Sequence, residues 1–275
     1  MKETFLRHES SITYYTSPLF DSYFVGHMFT TRRGGVSTGV FESLNFAVGA
    51  GEIQDLRENV IKNHALAARE FGLCERDICR TYQTHSTNIE IVSASQKSTG
   101  IYKEPFDHGV DGLVTNEKNL ILSVRTADCV PVLLYDTKKI ICAAVHAGWR
   151  GIYGRITDEA INKMLLLGAE KENIIAAIGP CAGVCCYEVG QELYDAFIKS
   201  DIDFDRCFIK RDASIYFDLT AANELFLLKN GIKEKNISSS YLCTCCNQND
   251  FFSHRRQGAN RGTMSAFIVI KQTEV

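Results

Sequence analysis

Two short apolar runs set close together constrain the fold more than any other feature of this sequence. Residues 130–135 and 140–145 are mostly β-branched or aliphatic, and residues 136–139 between them are turn formers. The pattern predicts a buried antiparallel hairpin. Cys129 precedes the first run and His146 follows the second, and in such a hairpin the start of one strand lies beside the end of the next. We therefore expect this thiol and this imidazole to lie close together.

The residues after His146 strengthen the interpretation of a functional site. They read Ala147-Gly148-Trp149-Arg150-Gly151. The two glycines are expected to permit unusual backbone angles and a close approach to a ligand. A thiol, an imidazole and a guanidinium at one edge of a sheet are hard to explain by packing alone.

Length and composition favour an ordinary globular protein. The 275 residues are 45% apolar and 23% charged, with a formal net charge of −3. Such a chain can bury a substantial core. The charge gives no basis for broad attraction to nucleic acid or membranes, and no apolar run approaches a membrane span. Residues 1–17 lack the apolar core of a signal peptide, so a cytoplasmic location is predicted.

The predicted elements mix strands and helices without strict alternation, and no repeat or linker interrupts them. This favours a single α+β domain, residues 1–275, with mixed β-sheets. Asp55 is predicted to be the N-cap of the first helix. Asp111-Gly112 is interpreted as a turn. The predicted strands lie within 12–31 and at 78–83, 88–92, 113–115, 120–124, 173–178, 237–242 and 266–270, and the predicted helices at 55–71, 155–167, 190–199 and 220–229.

His85 is the third residue that suggests chemistry, because it lies in a tight connection between two predicted strands. With Cys129 and His146 it forms a donor set that suits tetrahedral zinc with an open fourth position. Such a metal brings the pKa of a bound water to about 7. Two other interpretations remain open. Cys129 could be a nucleophile with His146 as its base, or all three residues could be structural.

Eleven cysteines are many for a chain of this kind. Six of them form two groups, Cys181/Cys185/Cys186 and Cys243/Cys245/Cys246. Together the groups could supply four thiolates, and the Cys243-x-x-Cys246 spacing fits a zinc knuckle. The first group lacks a Cys-x-x-Cys pair and precedes a predicted helix. We therefore expect buried thiols near the site instead of a structural metal cluster.

Arginines supply the candidate anion contacts, because a guanidinium binds planar carboxylates and phosphates through two hydrogen bonds. Arg150 is the best candidate, since it lies beside His146. Arg33 belongs to the Gly-rich turn 32–35, which could bind an anion through exposed backbone N–H groups, although a solvated turn is favoured. Arg255 and Arg256 are further candidates.

Several motifs, in this order, resemble the YfiH-like family, also called the laccase-domain or polyphenol oxidase family. The resemblance runs from about Gly26 to Val269, and its Ala-Asp-Cys and His-Ala-Gly-Trp-Arg-Gly motifs are highly specific. The motifs are Thr81-Tyr82-Gln83-Thr84-His85, Asp111-Gly112-Leu113-Val114-Thr115, Thr126-Ala127-Asp128-Cys129-Val130-Pro131, His146-Ala147-Gly148-Trp149-Arg150-Gly151, Gly179-Pro180, Cys186-Tyr187-Glu188-Val189 and Phe251-Phe252-Ser253-His254-Arg255-Arg256.

The resemblance implies an α/β/β/α sandwich and a metal site on the motif residues His85, Cys129 and His146, with Zn²⁺ expected and Cu²⁺ a further candidate. It also implies phosphorolysis of adenosine, inosine and methylthioadenosine, and deamination of adenosine. The expected partners are therefore a purine nucleoside and phosphate, with neither nucleic acid nor membrane. The alternatives are a Cys–His amide hydrolase that edits peptidoglycan precursors and a copper-dependent polyphenol oxidase. One Cys and two His are too few for several copper sites.

Substrate contacts are assigned on this basis. Arg150 is expected to position phosphate, and Asp128 or Gln83 to orient a ligand by hydrogen bonding. Asn45, Arg33 and Arg255 are further candidates. The chain departs from the family where it reads Arg261-Gly262-Thr263-Met264 in place of Gly-Arg-Met, and where His254 replaces a common Tyr.

Overall fold

Two six-stranded sheets form the centre of the molecule in a computed structural model that describes residues 4–49 and 51–272. In chain order the strands are β1 (Leu6–Glu9), β2 (Thr13–Thr16), β3 (Val25–Thr30), β4 (Ile78–Arg80), β5 (Ile89–Ile91), β6 (Gly112–Thr115), β7 (Ile121–Thr126), β8 (Val130–Asp136), β9 (Ile141–Ala147), β10 (Ile174–Ile178), β11 (Glu188–Val189), β12 (Phe208–Arg211), β13 (Ser214–Phe217), β14 (Ile237–Ser239) and β15 (Met264–Ile270). The helices are α1 (Arg57–Arg69), α2 (Trp149–Tyr153), α3 (Ile156–Leu166), α4 (Gln191–Ser200), α5 (Leu219–Lys229) and α6 (His254–Gln257).

Both large sheets are mixed, as the sequence predicts. The first sheet has the order β1-β2-β3-β15-β7-β4, and the second has the order β14-β10-β8-β9-β6-β5. The pairs β4–β7, β5–β6 and β10–β14 are parallel, whereas the neighbours at the centre of each sheet are antiparallel. A small third sheet has the order β11-β13-β12.

Strand β15 shows why the sheets are buried on both faces. Successive side chains of a strand point to opposite faces. Ala266 and Ile268 pack between the two sheets, with residues such as Leu133 of β8. Phe267 and Val269 point the other way and pack under helix α1. Each large apolar side chain buried in this way stabilises the fold by roughly 1.5–3 kcal/mol.

Helices cover the outer faces of both sheets. Ala67 and Ala68 of α1 contact the first sheet. Helices α3 and α5 cover the second sheet, where Ile161 and Phe226 pack with Val132 of β8. The layers are therefore helix, sheet, sheet, helix. This confirms the predicted α+β class and the α/β/β/α arrangement, and the assignment of all of residues 1–275 to one domain stays a prediction.

The predicted start of the first helix is wrong by two residues. Helix α1 begins at Arg57 and Leu56 takes the N-cap position. Asp55 cannot cap it, because its carboxylate accepts hydrogen bonds from the N–H of Leu56 at 2.8 Å and from the side chain of Asn45 at 2.8 Å. Gly72, with a φ of +73°, follows the end of the helix, as the sequence predicts.

The predicted strand 78–83 is also too long, since β4 ends at Arg80. Beyond Arg80, the Gln83 side chain takes the place of the main-chain hydrogen bonds that would otherwise pair this segment with β7. Its amide donates to the carbonyl of Arg125 at 2.7 Å, and its carbonyl accepts from the N–H of Arg125 at 2.8 Å. The main chain therefore turns away from the first sheet, and the Gln83 side chain keeps it hydrogen-bonded to β7. Within residues 4–49 and 51–272, none of the helices has the length and apolar character to cross a bilayer.

Candidate active site

His85, Cys129 and His146 converge where the chain passes between the two sheets. His85 lies on the segment from β4 of the first sheet to β5 of the second, and Cys129 lies on the connection from β7 to β8. His146 is on β9, opposite Pro131 of β8. The Cys129 Sγ lies 3.8 Å from the His85 Nε2, and one donor atom from each residue lies within 4.8 Å of the others. The predicted proximity of Cys129 and His146 is confirmed.

Asp111, interpreted from the sequence only as part of a turn, is the residue that organises this group. Its carboxylate is fully buried and accepts from the His146 Nδ1 at 2.8 Å. It also accepts from the backbone N–H groups of Thr84, His85 and Ser86, at 3.0, 3.1 and 2.8 Å. One carboxylate therefore orients the ring of His146 and fixes the backbone that carries His85, whose φ is +60°.

The Asp111 contact decides which nitrogen of His146 faces a ligand. Because Nδ1 is engaged with a carboxylate, Nε2 is the nitrogen left for the cavity side. A histidine held in this way by an outer carboxylate is the usual arrangement at protein metal sites.

The charges of the three groups reinforce one another. Burial alone would raise the pKa of Asp111, but hydrogen bonds from His146 and Ser86 bring it to about 2. Burial would likewise raise the pKa of Cys129, and the two histidines lower it to about 6. For His146, burial lowers the pKa, and the Cys129 thiolate together with Asp111 raises it to about 9. The two histidines therefore favour the thiolate form of Cys129.

Position 148 favours glycine because there is little room for a side chain, and not because the backbone adopts an unusual angle. Its φ is −74°, which any residue can adopt. A Cβ atom at this position would lie 2.9 Å from the His85 Cδ2 and 3.1 Å from the Cys129 Sγ. Gly148 therefore approaches the side chains of His85 and Cys129 closely, and its predicted approach to a ligand stays a prediction. The expected unusual backbone angle is wrong for Gly148.

The trio opens onto a cavity of about 610 Å³. His85 and Cys129 line it directly, and basic and aromatic side chains form much of the rest of its wall. The lining residues beyond these two are Ala127, Asp128, Trp149, Arg150, Tyr187, Leu219, His254, Arg255 and Arg261. A cavity of this size accommodates a small organic ligand.

Three arginines face this cavity. The Arg150 guanidinium is exposed and lies 4.2 Å from the centre of the Trp149 ring. Arg255 packs at 4.9 Å from the centre of the Tyr187 ring and donates to the carbonyl of Glu188 at 2.9 Å. These aromatic contacts hold both guanidiniums beside the opening while leaving most of their N–H donors available to an anion.

Arg261 is the third arginine of the cavity. Although its position is displaced from the family's Gly-Arg-Met pattern, its side chain lines the same cavity. Among residues 4–49 and 51–272, its buried Nε has no hydrogen-bond partner. Burial lowers the pKa of Arg261, and Asp128 and Cys129 partly offset that effect. A buried guanidinium with an unpaired donor is suited to binding an anionic ligand group.

Asp128 contacts the cavity but is mainly held by protein groups. Its carboxylate accepts from the Thr244 hydroxyl at 2.6 Å, the Ser253 hydroxyl at 3.0 Å and the Arg255 N–H at 2.6 Å. Its φ is +93°, an uncommon conformation for a residue other than glycine. The three hydrogen bonds hold this turn and thereby position the neighbouring Cys129.

Three predicted substrate contacts do not line the cavity. Asn45 is fully buried and bonds Ala47, Asp55 and the N–H of Thr263. Both polar groups of the Gln83 amide bond Arg125, as described above. Arg33 pairs with Asp250 at 2.9 Å and lines a separate depression. The structure therefore gives Asn45 and Gln83 structural roles and separates Arg33 from the trio.

The Gly-rich turn 32–35 has no row of free backbone donors. The N–H groups of Gly34 and Gly35 both donate to the Ser43 hydroxyl, at 2.9 and 3.1 Å. The backbone N–H groups of Gly34 and Gly35 are therefore not available to an anion, which counts against the anion-binding alternative and leaves the favoured interpretation of a solvated turn.

The expectation of buried thiols in the two cysteine groups is wrong in part. Cys181 and Cys243 are buried, but Cys185 and Cys246 are exposed. One sulfur each from Cys185, Cys186, Cys243 and Cys246 lies within 4.8 Å of the others. The sequence does not show this convergence, because it depends on how two distant loops pair.

The donor chemistry of the trio fits a metal ion. Two imidazole nitrogens and a thiolate are ligands that zinc and copper both accept, and three protein donors beside a cavity leave room for a further ligand. The buried carboxylate of Asp111 supplies the outer contact that orients a ligating histidine.

Comparisons with known proteins agree with the fold. Residues 26–271 match the family described as multi-copper polyphenol oxidoreductase laccase. The chain is 34% identical over 250 residues to a purine nucleoside phosphorylase of Bacteroides thetaiotaomicron, which is 90% of this chain and 92% of that protein. It is 34% identical over 238 residues to adenosine deaminase RL5 of an unknown prokaryotic organism, 85% of this chain and 90% of that protein. The crystal structure of the hypothetical protein YfiH of Bacillus licheniformis matches with a TM-score of 0.87 and 30% identity, over 96% of this chain and 99% of that one.

Proposed function

The chain belongs to the multi-copper polyphenol oxidoreductase laccase family, and from this premise we propose that it is a purine nucleoside phosphorylase that also deaminates adenosine. The substrates are adenosine, inosine and methylthioadenosine, each with phosphate for phosphorolysis. One observation carries the proposal: His85, Cys129 and His146 converge beside a cavity that His85 and Cys129 line and whose wall bears three arginines. The names of the two relatives agree with both activities.

The arginines account for the phosphate. In phosphorolysis a phosphate oxygen forms a bond to C1′ of the ribose while the bond from C1′ to the purine nitrogen breaks. The purine leaves with the electron pair and takes up a proton, which gives ribose 1-phosphate from adenosine or inosine. Arg150 is the first choice for orienting the phosphate, and Arg255 and Arg261 add positive charge around it.

His85, Cys129 and His146 are the proposed ligands of a zinc ion, with copper as the other candidate. When bound, such an ion supplies Lewis-acid chemistry and makes water a better nucleophile near neutral pH. Asp111 holds the His146 ring and the His85 backbone in place for this role. Deamination of adenosine replaces the C6 amino group by an oxygen from water and releases ammonia, and it would use the same cavity.

Inosine phosphorolysis in matched variants tests the proposal. Cys129→Ala should lose the zinc ion held by His85, Cys129 and His146 and lower kcat/KM by more than the roughly 100-fold typical of losing an outer ligand contact. Arg150→Ala should lower kcat/KM for phosphate roughly 10- to 100-fold, as expected for lost hydrogen bonds to a charged group. Arg69→Ala, an exposed arginine at the end of α1, is the control and should keep the wild-type rate. Wild-type rates in both Cys129→Ala and Arg150→Ala would disprove the assignment.

A second candidate function is favoured by the low pKa of Cys129 beside His146 and Asp111. In a metal-free Cys–His amide hydrolase, the thiolate forms a bond to the carbonyl carbon of an amide. The carbon–nitrogen bond then breaks, and the amine leaves with a proton from His146. Water releases the acyl group in a second step. A peptidoglycan precursor is the substrate class proposed for this alternative.

Metal removal separates the two functions. The hydrolase should keep full activity after exhaustive chelation and lose it on alkylation of Cys129. The phosphorylase should lose activity on chelation and regain it when zinc is returned.

The family description points to a third activity, copper-dependent oxidation of phenols. Among the described residues, the trio supplies one Cys and two His, and the other group of metal-binding side chains is made only of cysteines. This suits one copper ion and not the several that a multicopper oxidase uses. Oxygen uptake with a phenol, dependent on added copper, would establish this activity.

A further inference from the structure

The two loops that carry the second cysteine group run side by side. Cys181 and Cys243 form a parallel bridge. The Cys181 N–H donates to the carbonyl of Leu242 at 3.2 Å, and the Thr244 N–H donates to the carbonyl of Cys181 at 2.9 Å. This pairing fixes the register of the two loops. As a result, Cys185 and Cys186 of one loop lie close to Cys243 and Cys246 of the other.

The sulfur separations match a single tetrahedral ion. The Cys246 Sγ lies 3.5 Å from that of Cys185 and 3.4 Å from that of Cys186, and all four sulfurs lie within 4.8 Å of one another. Four thiolates around one zinc ion at about 2.3 Å would lie roughly 3.8 Å apart. We propose that Cys185, Cys186, Cys243 and Cys246, named here the thiol cluster, bind one zinc ion in a site separate from the trio.

The backbone around the thiol cluster is built like a metal-ligand environment. The Gly183 N–H donates to the Cys243 Sγ at 3.2 Å. Such a donor stabilises a thiolate in the way that outer contacts stabilise metal ligands. A Cβ atom on Gly183 would lie 3.0 Å from the Cys243 Cβ and 3.2 Å from the Cys185 Sγ. The loop therefore approaches the sulfurs as closely as its backbone allows.

Packing does not account for these thiols. Cys79 and Cys207 show what core cysteines look like in this protein, since both are buried and burial raises the pKa of each to about 12. Cys185 and Cys246 are exposed, where a thiol gains little from burial. Disulfides do not account for them either, because the sulfur separations exceed the bond length of about 2.05 Å.

The thiol cluster connects to the cavity through the residues beside its members. Tyr187 follows Cys186 and lines the cavity. Thr244 follows Cys243 and donates to Asp128, the neighbour of Cys129. Arg256 donates to the carbonyls of Thr244 and Cys245, at 3.0 and 2.7 Å. A zinc ion at the cluster would therefore fix one wall of the cavity without contacting the substrate.

The metal content of Cys129→Ala tests the second site, because this variant removes a ligand of the trio. We expect one equivalent of zinc to remain. Cobalt substitution should then give the visible bands and the strong sulfur-to-metal charge transfer of a tetrahedral tetrathiolate. Adding Cys246→Ser should remove the zinc and change the spectrum. Adding Cys245→Ser instead is the matched control, because Cys245 lies in the same loop outside the cluster, and it should change neither.

A thiol-labelling measurement keeps the test independent of whether the doubly substituted chain folds. In Cys129→Ala loaded with zinc, Cys185 and Cys246 should be protected from alkylation, although both are exposed. A chelator should release four additional reactive thiols. Equal labelling rates with and without chelator, a cluster disulfide found by mass spectrometry, or no zinc in Cys129→Ala would each overturn the proposal. Inosine turnover plays no part in these readouts, so this proposal and the proposed function can fail separately.

Discussion

The trio and the thiol cluster are both groups of metal-binding side chains, and they are built in opposite ways. The trio lies where the chain crosses between the sheets, and the buried carboxylate of Asp111 organises it. The thiol cluster lies on two surface loops, and a backbone N–H from Gly183 donates to one of its sulfurs. The first group combines nitrogen and sulfur donors beside a cavity, whereas the second has four sulfurs that would complete a tetrahedron.

The difference shows how one protein can use one metal site for chemistry and a second site to stabilise its structure. Three donors beside a cavity leave a position for a substrate or water, as in catalytic zinc sites. Four thiolates leave no open position, which is the pattern of structural zinc sites. Substitutions in the trio should therefore change chemistry first, and substitutions in the thiol cluster should change metal content and the rigidity of the cavity wall first.

Among substitutions that keep every candidate ligand of both groups, Asp111→Asn has the largest expected effect. The amide keeps the size of the side chain but loses the charge and one acceptor among several N–H donors. We expect zinc affinity at the trio and inosine kcat/KM to fall roughly 10- to 100-fold, and the free energy of unfolding to fall by about 3 kcal/mol. Asp107→Asn, whose side chain is 97% exposed, is the matched control and should be nearly neutral. Unchanged zinc affinity at the trio would show that Asp111 does not orient its ligands.

Gly148→Ala should have the next largest effect, and it should act on activity without loss of stability. The added methyl group would crowd the His85 ring at 2.9 Å, while the φ of −74° suits alanine. We expect inosine turnover to fall about tenfold. The melting temperature of the metal-free protein should stay equal or rise, because the crowded His85 side chain is exposed and alanine reduces the entropy of the unfolded chain. Steady-state kinetics and thermal unfolding measure the two outcomes. A parallel loss of both would indicate a general packing defect.

Gly183→Ala is the counterpart at the thiol cluster. Its methyl group would crowd Cys243 and Cys185. We expect zinc to dissociate from the cluster several-fold faster, measured with a coloured chelator in the Cys129→Ala background. In the otherwise wild-type chain, inosine turnover should fall less than it does in Gly148→Ala. A larger loss of inosine turnover in Gly183→Ala than in Gly148→Ala would contradict the assignment of the trio to chemistry and of the thiol cluster to structural support.

Thr244→Val should give the smallest effect, because it touches only the connection between the two sites. The substitution removes the hydrogen bond to Asp128, which keeps its bonds from Ser253 and Arg255. We expect the free energy of unfolding to fall by about 1–2 kcal/mol and inosine kcat/KM to fall a few-fold, with the cobalt spectrum of the cluster unchanged. A change in that spectrum with no kinetic effect would mean that Thr244 supports the cluster alone.

The sequence predicts those parts of the site that depend on local pattern. The spacing of two apolar runs brings Cys129 to His146, because a hairpin needs only neighbouring residues to form. Asp111 was missed as an organiser because its role depends on strand order, since β6 pairs with β9 across residues 116–140, which contain β7 and β8. An acidic residue directly before a buried strand was the available signal, and its interpretation as a turn hid it.

Asn45 and Gln83 show the opposite failure. Both are polar residues within or near distinctive motifs, and both satisfy buried backbone groups in the structure. Sequence alone does not distinguish an amide that binds a substrate from one that replaces a strand ladder, because the two uses need the same donor and acceptor. Arg261 lies where the chain departs from the family's Gly-Arg-Met pattern, yet its side chain lines the cavity, because a shift along the chain does not by itself move a side chain out of a site.

The crossing segments that carry His85 and Cys129 have a consequence for thermodynamic linkage. His85 follows a strand of the first sheet, Cys129 joins the two sheets, and His146 belongs to the second. An ion that holds all three can bind only while both layers stay assembled. Its binding free energy therefore opposes separation of the layers, by about 2.7 kcal/mol when its free concentration is 100 times its Kd. The melting temperature of this protein should accordingly rise with the fraction of molecules that carry a metal ion at the trio.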